Sequence, residues 1–228
     1  MTLLADEFKQ AAADKALELV QDGMLLGLGS GSTSTFFVEG LGRLVAEGTK
    51  VRGVPSSRAT AELAASLGIP IVTELVGEID LTVDGADEVD GHLNLIKGRG
   101  GALFREKLVA AASKRFVVVV DESKLVKQLG AGLLPVEVLP FMWRTTAERI
   151  AALGVSLVVR GGEETPYVTD NGNLILDLTV EGGIKDPGAY AAELKKVLGV
   201  VEHGLFAGMT DTVMAAGPEG VRALGGGR

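Results

Sequence analysis

MLLGLGSGSTS, residues 24–34, decides the architecture: a short apolar run, a glycine-rich turn and the start of a helix follow without a spacer. Met24–Leu28 reads as a buried strand, and Thr35–Val45 carries apolar residues at helical spacing. Strand, tight turn and helix form the unit that builds a parallel sheet, because a parallel neighbour can only be reached by a crossover. Upstream, residues 6–21 are helical in period and stop at Asp22-Gly23, a C-terminal cap signal. Downstream the rhythm repeats: Lys50–Val54 as strand, Arg58–Leu67 as helix, Gly68 as stop, Ile69–Thr73 as strand. Leu81–Val83 is a further buried strand that runs into DGADE. Ala102–Ser113 reads as helix, and RFVVVV at 115–120 as a central strand covered on both faces.

The pattern changes near residue 130. Leu133–Val138 predicts a strand, and Thr145-Thr146-Ala147-Glu148 opens a helix to Leu153 with a capping box. Val155–Arg160 and Leu174–Val180 predict strands, with a short one at Tyr167–Thr169 and a hairpin turn at Asp170–Asn173. Asp186-Pro187 starts another helix, Asp as N-cap and Pro at the first helical position, running to about Leu198. Val200–Phe206 is the last strand of this set. The order β-α-β-β-α-β is the split βαβ, or ferredoxin-like, arrangement. Thr212–Ala216 then predicts one more strand and Pro218–Leu224 a short helix, and the closing GGGR a frayed end. The expected architecture is α/β: a Rossmann-like parallel-sheet domain over 1–130 and 207–228, with an inserted α+β ferredoxin-like domain over 131–206.

Composition excludes several functions. The 228 residues are 46% hydrophobic with little aromatic content and 32 Gly, which suits close helix–sheet packing. A formal net charge of −8 and no basic track disfavour a nucleic-acid partner, but a few local cations or a helix N-terminus can still hold one phosphate. Cysteine is absent and the only histidines are His92 and His203, so neither a thiolate nucleophile nor a Cys- or His-rich metal site is expected. The first twenty residues are amphipathic with early acidic residues and lack the basic start of a signal peptide. No apolar run approaches the ~20 residues that a membrane-spanning helix needs. The reading is a cytoplasmic protein without a membrane partner.

Four motifs carry chemistry. In GLGSGSTS, residues 27–34, glycine permits close backbone approach and the helix N-terminus favours an anion. Ser32 stands where the dinucleotide fingerprint needs glycine, and the Gly-Lys-Ser/Thr of a P-loop is missing, so a phosphate site without a nucleotide is the reading, against a tight turn that binds nothing. DGADE, residues 84–88, follows a buried strand and places Asp84, Asp87 and Glu88 at the carboxyl edge of the sheet, where open α/β folds bind ligands. Its bland alternative is a solvated acidic turn. KGRGGALFREK, residues 97–107, sets Lys97 and a loop of backbone donors ahead of a helix carrying Glu106, which suits an oxyanion that appears only in a transition state. Glu106, with Ala102, Leu103 and Ala110 one turn away, is expected half-buried with a raised pKa fit for a general base, the alternative being an exposed helix Glu paired with Lys or Arg. RFVVVVDESK, residues 115–124, ends in Lys124, a phosphate ligand or a surface lysine.

GSGST, DGADE, KGRGGALFREK and VVDESK, in that order, resemble the type A ribose-5-phosphate isomerase family over nearly the whole length. The resemblance implies substrate contacts at Ser30, Gly31, Ser32 and Thr33, at Asp84, Gly85, Ala86 and Asp87, and at Lys97, Gly98, Arg99 and Gly100. It implies that Glu106 is the general base, that Lys124 binds substrate, and that Lys9 matches an N-terminal lysine near the phosphate. Arg99 stands where the family often has Gly. The implied mechanism opens the sugar ring with help from Asp87, moves a proton from C2 to C1 through Glu106, and stabilises the cis-enediolate with Lys97 and loop N–H groups, Asp84 orienting hydroxyls. It requires no metal and no redox cofactor, and family members are commonly homo-oligomers, dimers or larger. Two other classes share such a fold. A sugar-phosphate sensor would carry a helix-turn-helix segment, which is not found here, and an amino-sugar-phosphate deaminase or CoA transferase fits R-E-K after KGRGG poorly.

Overall fold

The computed structural model describes residues 2–225, and its chain divides into two compact units. Of the described residues, the first comprises 2–86, 105–125 and 209–225; the second comprises 87–104 and 126–208. Residues 87–104 and 126–130 thus pack with the second unit, whereas the sequence pattern assigned them to the first. Strand periodicity gives no sign of this, because the segment holds only two-residue strands.

The first unit is built on α1 (Thr2–Leu17), β1 (Leu25–Leu28), α2 (Ser32–Ala46), β2 (Arg52–Pro55), α3 (Arg58–Ser66) and β3 (Leu81–Asp84). Its six-stranded sheet is completed by β6 (Phe116–Asp121), β12 (Thr212–Gly217) and β13 (Gly220–Gly225), in the order β13-β12-β6-β3-β1-β2. Neighbours pair in parallel except β13, which returns antiparallel to β12. One face buries Leu26, Leu28, Val83, Val117 and Val119 against Ala12, Ala13 and Ala16 of α1 and Phe37, Val38 and Leu41 of α2. On the other face Leu25 and Ile79 meet Val109 of α4 (Leu103–Ala111). Gly27 makes that approach possible: a Cβ there would lie 2.6 Å from Val109 Cγ1 and 1.8 Å from Thr82 Oγ1. Helices on both sides of a parallel sheet are the Rossmann-like layering expected.

In the second unit β7 (Leu134–Val138), α5 (Trp143–Ala151), β8 (Ser156–Val159), β9 (Leu174–Thr179), α6 (Pro187–Lys196) and β10 (Val200–His203) form an antiparallel sheet ordered β10-β7-β9-β8. That is the ferredoxin-like order. Val136, Val138, Leu174, Leu176 and Leu178 share a core with Ile150 and Leu194 of the two helices. By the two-residue period of a strand, Glu137 and Asp177 leave the opposite face. A small sheet of β11 (Leu205–Phe206), β5 (Leu95–Ile96) and β4 (Glu88–Val89) also lies in this unit.

Several expectations are corrected. The helix expected over 218–224 is instead a turn followed by strand β13, because Pro218-Glu219 makes a two-residue turn and Gly220 takes φ +100°; Val221 and Leu224, three apart, mimic a helical spacing. α1 ends at Leu17, and Asp22 instead accepts the Lys50 amide at 2.7 Å. α5 starts at Trp143 from a left-handed Met142 (φ 56°), so Thr145 does not cap it. Ile71 and Val168 contribute single bridges where strands were expected. Gly204 splits the last expected strand into β10 and β11, since a Cβ there would strike the Lys97 carbonyl at 2.2 Å. Of the closing GGGR, Gly225 ends β13 and residues 226–228 lie outside the described residues.

Candidate active site

β1 connects to β2 on one side and has β3 on the other, so the strand order reverses between β1 and β3. Ligands of open α/β sheets bind outside the carboxyl ends of the strands at such a switch point. Here β1 delivers the Gly29–Ser34 turn and β3 delivers Asp84. Asp84 is buried, and its Oδ1 accepts from the Ser30 amide (3.0 Å), the Ser34 hydroxyl (2.9 Å) and the Gly85 amide (2.7 Å). This carboxylate therefore holds the turn in shape. Gly29 is required by it, because a Cβ would lie 2.2 Å from Asp84 Oδ1 and 2.5 Å from its Cα.

The turn presents α2's N-terminus. Gly31, its N-cap, has φ 90° and no side chain to cap the first amides, which leaves backbone donors for an anion. Gly31 and Ser32 are exposed while Thr33 is buried. The Ser30 hydroxyl meets Ser56 Oγ at 2.7 Å and Thr60 Oγ1 at 3.3 Å. Thr60 in turn donates to the Gly29 carbonyl at 3.1 Å. A recess of about 100 Å³ opens beside Gly29, Gly31, Thr35 and Thr60. A larger one, about 540 Å³, lies at the opposite edge among Gly48, Thr49, Lys50 and Gly68, away from the carboxyl ends of the strands.

Lys124 sits two strands from β1, in the 3-10 turn Glu122–Lys124 that follows β6. Asp121 caps that turn by accepting the Ser123 amide at 3.0 Å and the Ser123 hydroxyl. Glu106 is buried at 6% exposure in the first turn of α4, so it is not the solvated helix glutamate of the bland reading. Lys9 is paired with Asp6 at 3.0 Å on α1.

In the second unit the loop after β5 holds Lys97, Gly98, Arg99 and Gly100. Lys97 is buried, its ammonium 5.6 Å from the Phe206 ring centroid. Asp87 Oδ2 accepts the Arg99 amide at 2.9 Å. The Arg99 side chain turns to Glu88, whose Oε1 lies 2.6 Å from Nη2. Glu88 is buried and also accepts the Gly130 and Gly132 amides, each at 2.7 Å. Of the DGADE carboxylates, Glu88 thus ties two loops together and is not open to a ligand.

Sequence reasoning passed over Ser34, Ser56 and Thr60, although Ser56 follows a parallel strand as directly as Asp84 does. It also passed over Arg160, Asp177 and Tyr167, which have no local signal. His92 is an exposed loop residue and His203 is buried at the end of β10, neither in a catalytic arrangement with the other.

A family model described as ribose 5-phosphate isomerase A (phosphoriboisomerase A) matches residues 52–220. The chain belongs to the ribose-5-phosphate isomerase A family. A ribose-5-phosphate isomerase A from Sinorhizobium medicae is 50% identical over 227 residues, covering 96% of this chain and 98% of the relative. One from Synechococcus is 51% identical over 225 residues, covering 96% and 97%. Among solved structures, a D-ribose-5-phosphate isomerase in complex with phospho-erythronic acid superposes with TM-score 0.92 at 40% identity, over 97% of this chain and 99% of that one. The Plasmodium falciparum ribose 5-phosphate isomerase gives TM-score 0.93 at 38% identity, covering 98% and 100%.

Proposed function

We propose that the chain catalyses the reversible aldose–ketose isomerisation of D-ribose 5-phosphate and D-ribulose 5-phosphate through a cis-enediolate, in the non-oxidative branch of the pentose phosphate pathway. The observation that carries this reading is family membership over nearly the full length at about half identity. The phosphate goes to the N-terminus of α2 at Ser30–Thr33, with Lys124 as its cation. Asp87 assists ring opening. Glu106 removes the C2 proton of the open-chain aldose, leaving an enediolate whose negative charge is met by Lys97 and the N–H groups of the 98–100 loop. The hydroxyl proton moves from O2 to O1, and Glu106 returns its proton to C1, giving the ketose. Electrons stay within the substrate, so no redox cofactor takes part. Asp84 fixes the turn through Oδ1 and orients sugar hydroxyls alongside Gly85 and Ala86. Lys9 is assigned a supporting role near the phosphate.

The test is incubation of purified protein with ribose 5-phosphate in deuterated solvent, following ketose formation and exchange at C2. Ketose with exchange supports the reading; neither would overturn it. The chain is further proposed to work as a homo-oligomer, a dimer at least, in the cytoplasm. Among the described residues no helix is long and apolar enough to cross a membrane, and one relative from Arabidopsis thaliana is named as chloroplastic. Sedimentation velocity reads the oligomeric state directly.

A further inference from the structure

Arg160 continues strand β8, its amide donating to the Ile175 carbonyl at 2.9 Å. Its guanidinium is held by Asp177 on the neighbouring β9: Nε to Oδ2 is 2.8 Å and Nη2 to Oδ1 is 2.5 Å, a two-point fork. Both side chains are largely withdrawn from solvent, at 18% and 8% exposure. The remaining terminal nitrogen, Nη1, donates to two successive carbonyls of the glycine-rich loop, Gly98 at 3.1 Å and Arg99 at 3.0 Å. Nothing in the proposed chemistry above uses this arrangement, and an ion pair serving only the sheet would have no need of those carbonyls.

The consequence follows from peptide geometry. In a trans peptide the C=O and the following N–H point in opposite directions, and there are no cis peptide bonds among the described residues. Drawing the Gly98 and Arg99 carbonyls to Arg160 therefore turns the Arg99 and Gly100 amides to the other side. The Arg99 amide is on that side already, donating to Asp87 Oδ2 at 2.9 Å. The Gly100 amide emerges next to it, at an exposed position. Two consecutive amides directed one way make a concavity for negative charge. Gly98 at φ 101° and Gly101 at φ 90° permit the conformation, and Tyr167 closes it, its hydroxyl occupying the place of a Gly101 side chain at 2.3 Å.

We propose that Arg160, braced by Asp177, is a positioning residue for the isomerisation: it fixes the peptide planes of the Lys97–Gly101 loop so that the Gly100 N–H is aimed at the enediolate oxygen. This rests on the reading that the loop stabilises the enediolate. Arg160 never touches substrate. It acts by removing reorganisation from the moment when charge develops, which is where a preformed donor has its effect.

The experiment compares Arg160→Lys, Asp177→Asn and Lys97→Met with the parent protein, reading kcat, KM for ribose 5-phosphate, inhibition by phospho-erythronic acid, and thermal midpoint. Lysine keeps the charge beside Asp177 but cannot fork to the carboxylate and reach both carbonyls. In Arg160→Lys kcat is expected to fall about 10- to 100-fold, as for a misplaced donor. KM should change less than about threefold, since the phosphate is held elsewhere, and the inhibitor constant should weaken in parallel with kcat/KM. Asp177→Asn, nearly isosteric, should show the same split more weakly. A folded Arg160→Lys or Asp177→Asn protein with parental kcat overturns the proposal. Should neither variant fold, the amide resonance of Gly100 in the ¹⁵N-labelled parent decides: it must move downfield on adding phospho-erythronic acid, and an unmoved resonance overturns the proposal. Parental activity in Lys97→Met would sink the underlying oxyanion reading instead, so the two failures are distinguishable.

Discussion

At the scale of single residues, Glu106 and Asp80 show what burial and pairing decide. Moving a proton between adjacent carbons needs one base that takes and returns it over one face of the enediolate. A buried carboxylate in the first turn of α4 meets that need better than either histidine. Glu106→Gln keeps the shape but cannot accept a proton, so kcat is expected to fall by about 10²–10⁴-fold with substrate binding retained. Near-normal C2 exchange with deuterated solvent in that variant would move the role to another group. Asp80 is a stability residue. The Lys114 ammonium at 2.8 Å and the Leu25 amide at 2.9 Å hold its carboxyl below the usual carboxylate value. A depressed folded pKa contributes stability above the unfolded value and loses it as pH falls through the folded one. Asp80→Asn should therefore flatten the fall of the urea midpoint as pH drops below the ordinary carboxylate value. An unchanged acid limb would show that the pair contributes nothing.

At the scale of elements, the β1–α2 turn concentrates the site's requirements. It was legible because a strand, three glycines and a helix start leave few conformations open. Its support was less legible: Asp84 reads from the sequence as a ligand for hydroxyls, yet its Oδ1 is committed to Ser30, Ser34 and Gly85. Gly29→Ala should distort the turn, costing roughly 1–3 kcal/mol as overpacking against backbone and raising KM. Chemical denaturation and steady-state kinetics on the same preparation check both. Lys124→Ala should raise KM for ribose 5-phosphate about 10- to 100-fold, the range of one charge-assisted hydrogen bond, with little change in kcat. If Lys124→Ala and Ser32→Ala both bind substrate normally, the phosphate lies elsewhere. The cap of α6 was legible at the level of residues: Asp186 is the N-cap ahead of Pro187, and the structure adds that it accepts the Ala189 amide at 2.9 Å, because a cap is a purely local event.

At the scale of the whole molecule, the proposed mechanism asks only side chains and amides of the chain to carry the chemistry. The chain has no cysteine and two histidines, and among the described residues no group of three or more His, Asp or Glu is placed to hold a metal ion. On the proposed mechanism, in which Lys97 and loop N–H groups meet the enediolate charge, activity should survive exhaustive chelation unchanged. Loss on chelation with recovery on adding a divalent ion would overturn the metal-free mechanism. Oligomerisation, by contrast, leaves no mark in periodicity, and sedimentation must settle it.

The amino-acid sequence by itself determined the strand–helix alternation, the ferredoxin-like order of the second unit, the turn residues and the motifs at the strand ends. Each follows from interactions within a few residues: side-chain period, capping and the φ freedom of glycine. Tertiary structure alone decided that residues 87–104 belong with the second unit, that Gly220–Gly225 returns as a strand, and that Glu88 faces Arg99. It alone decided that Arg160, held by Asp177, grips a loop some sixty residues upstream. Those outcomes depend on pairings between distant segments, where one strand's alternation says which face a side chain leaves from and nothing about what waits on that face.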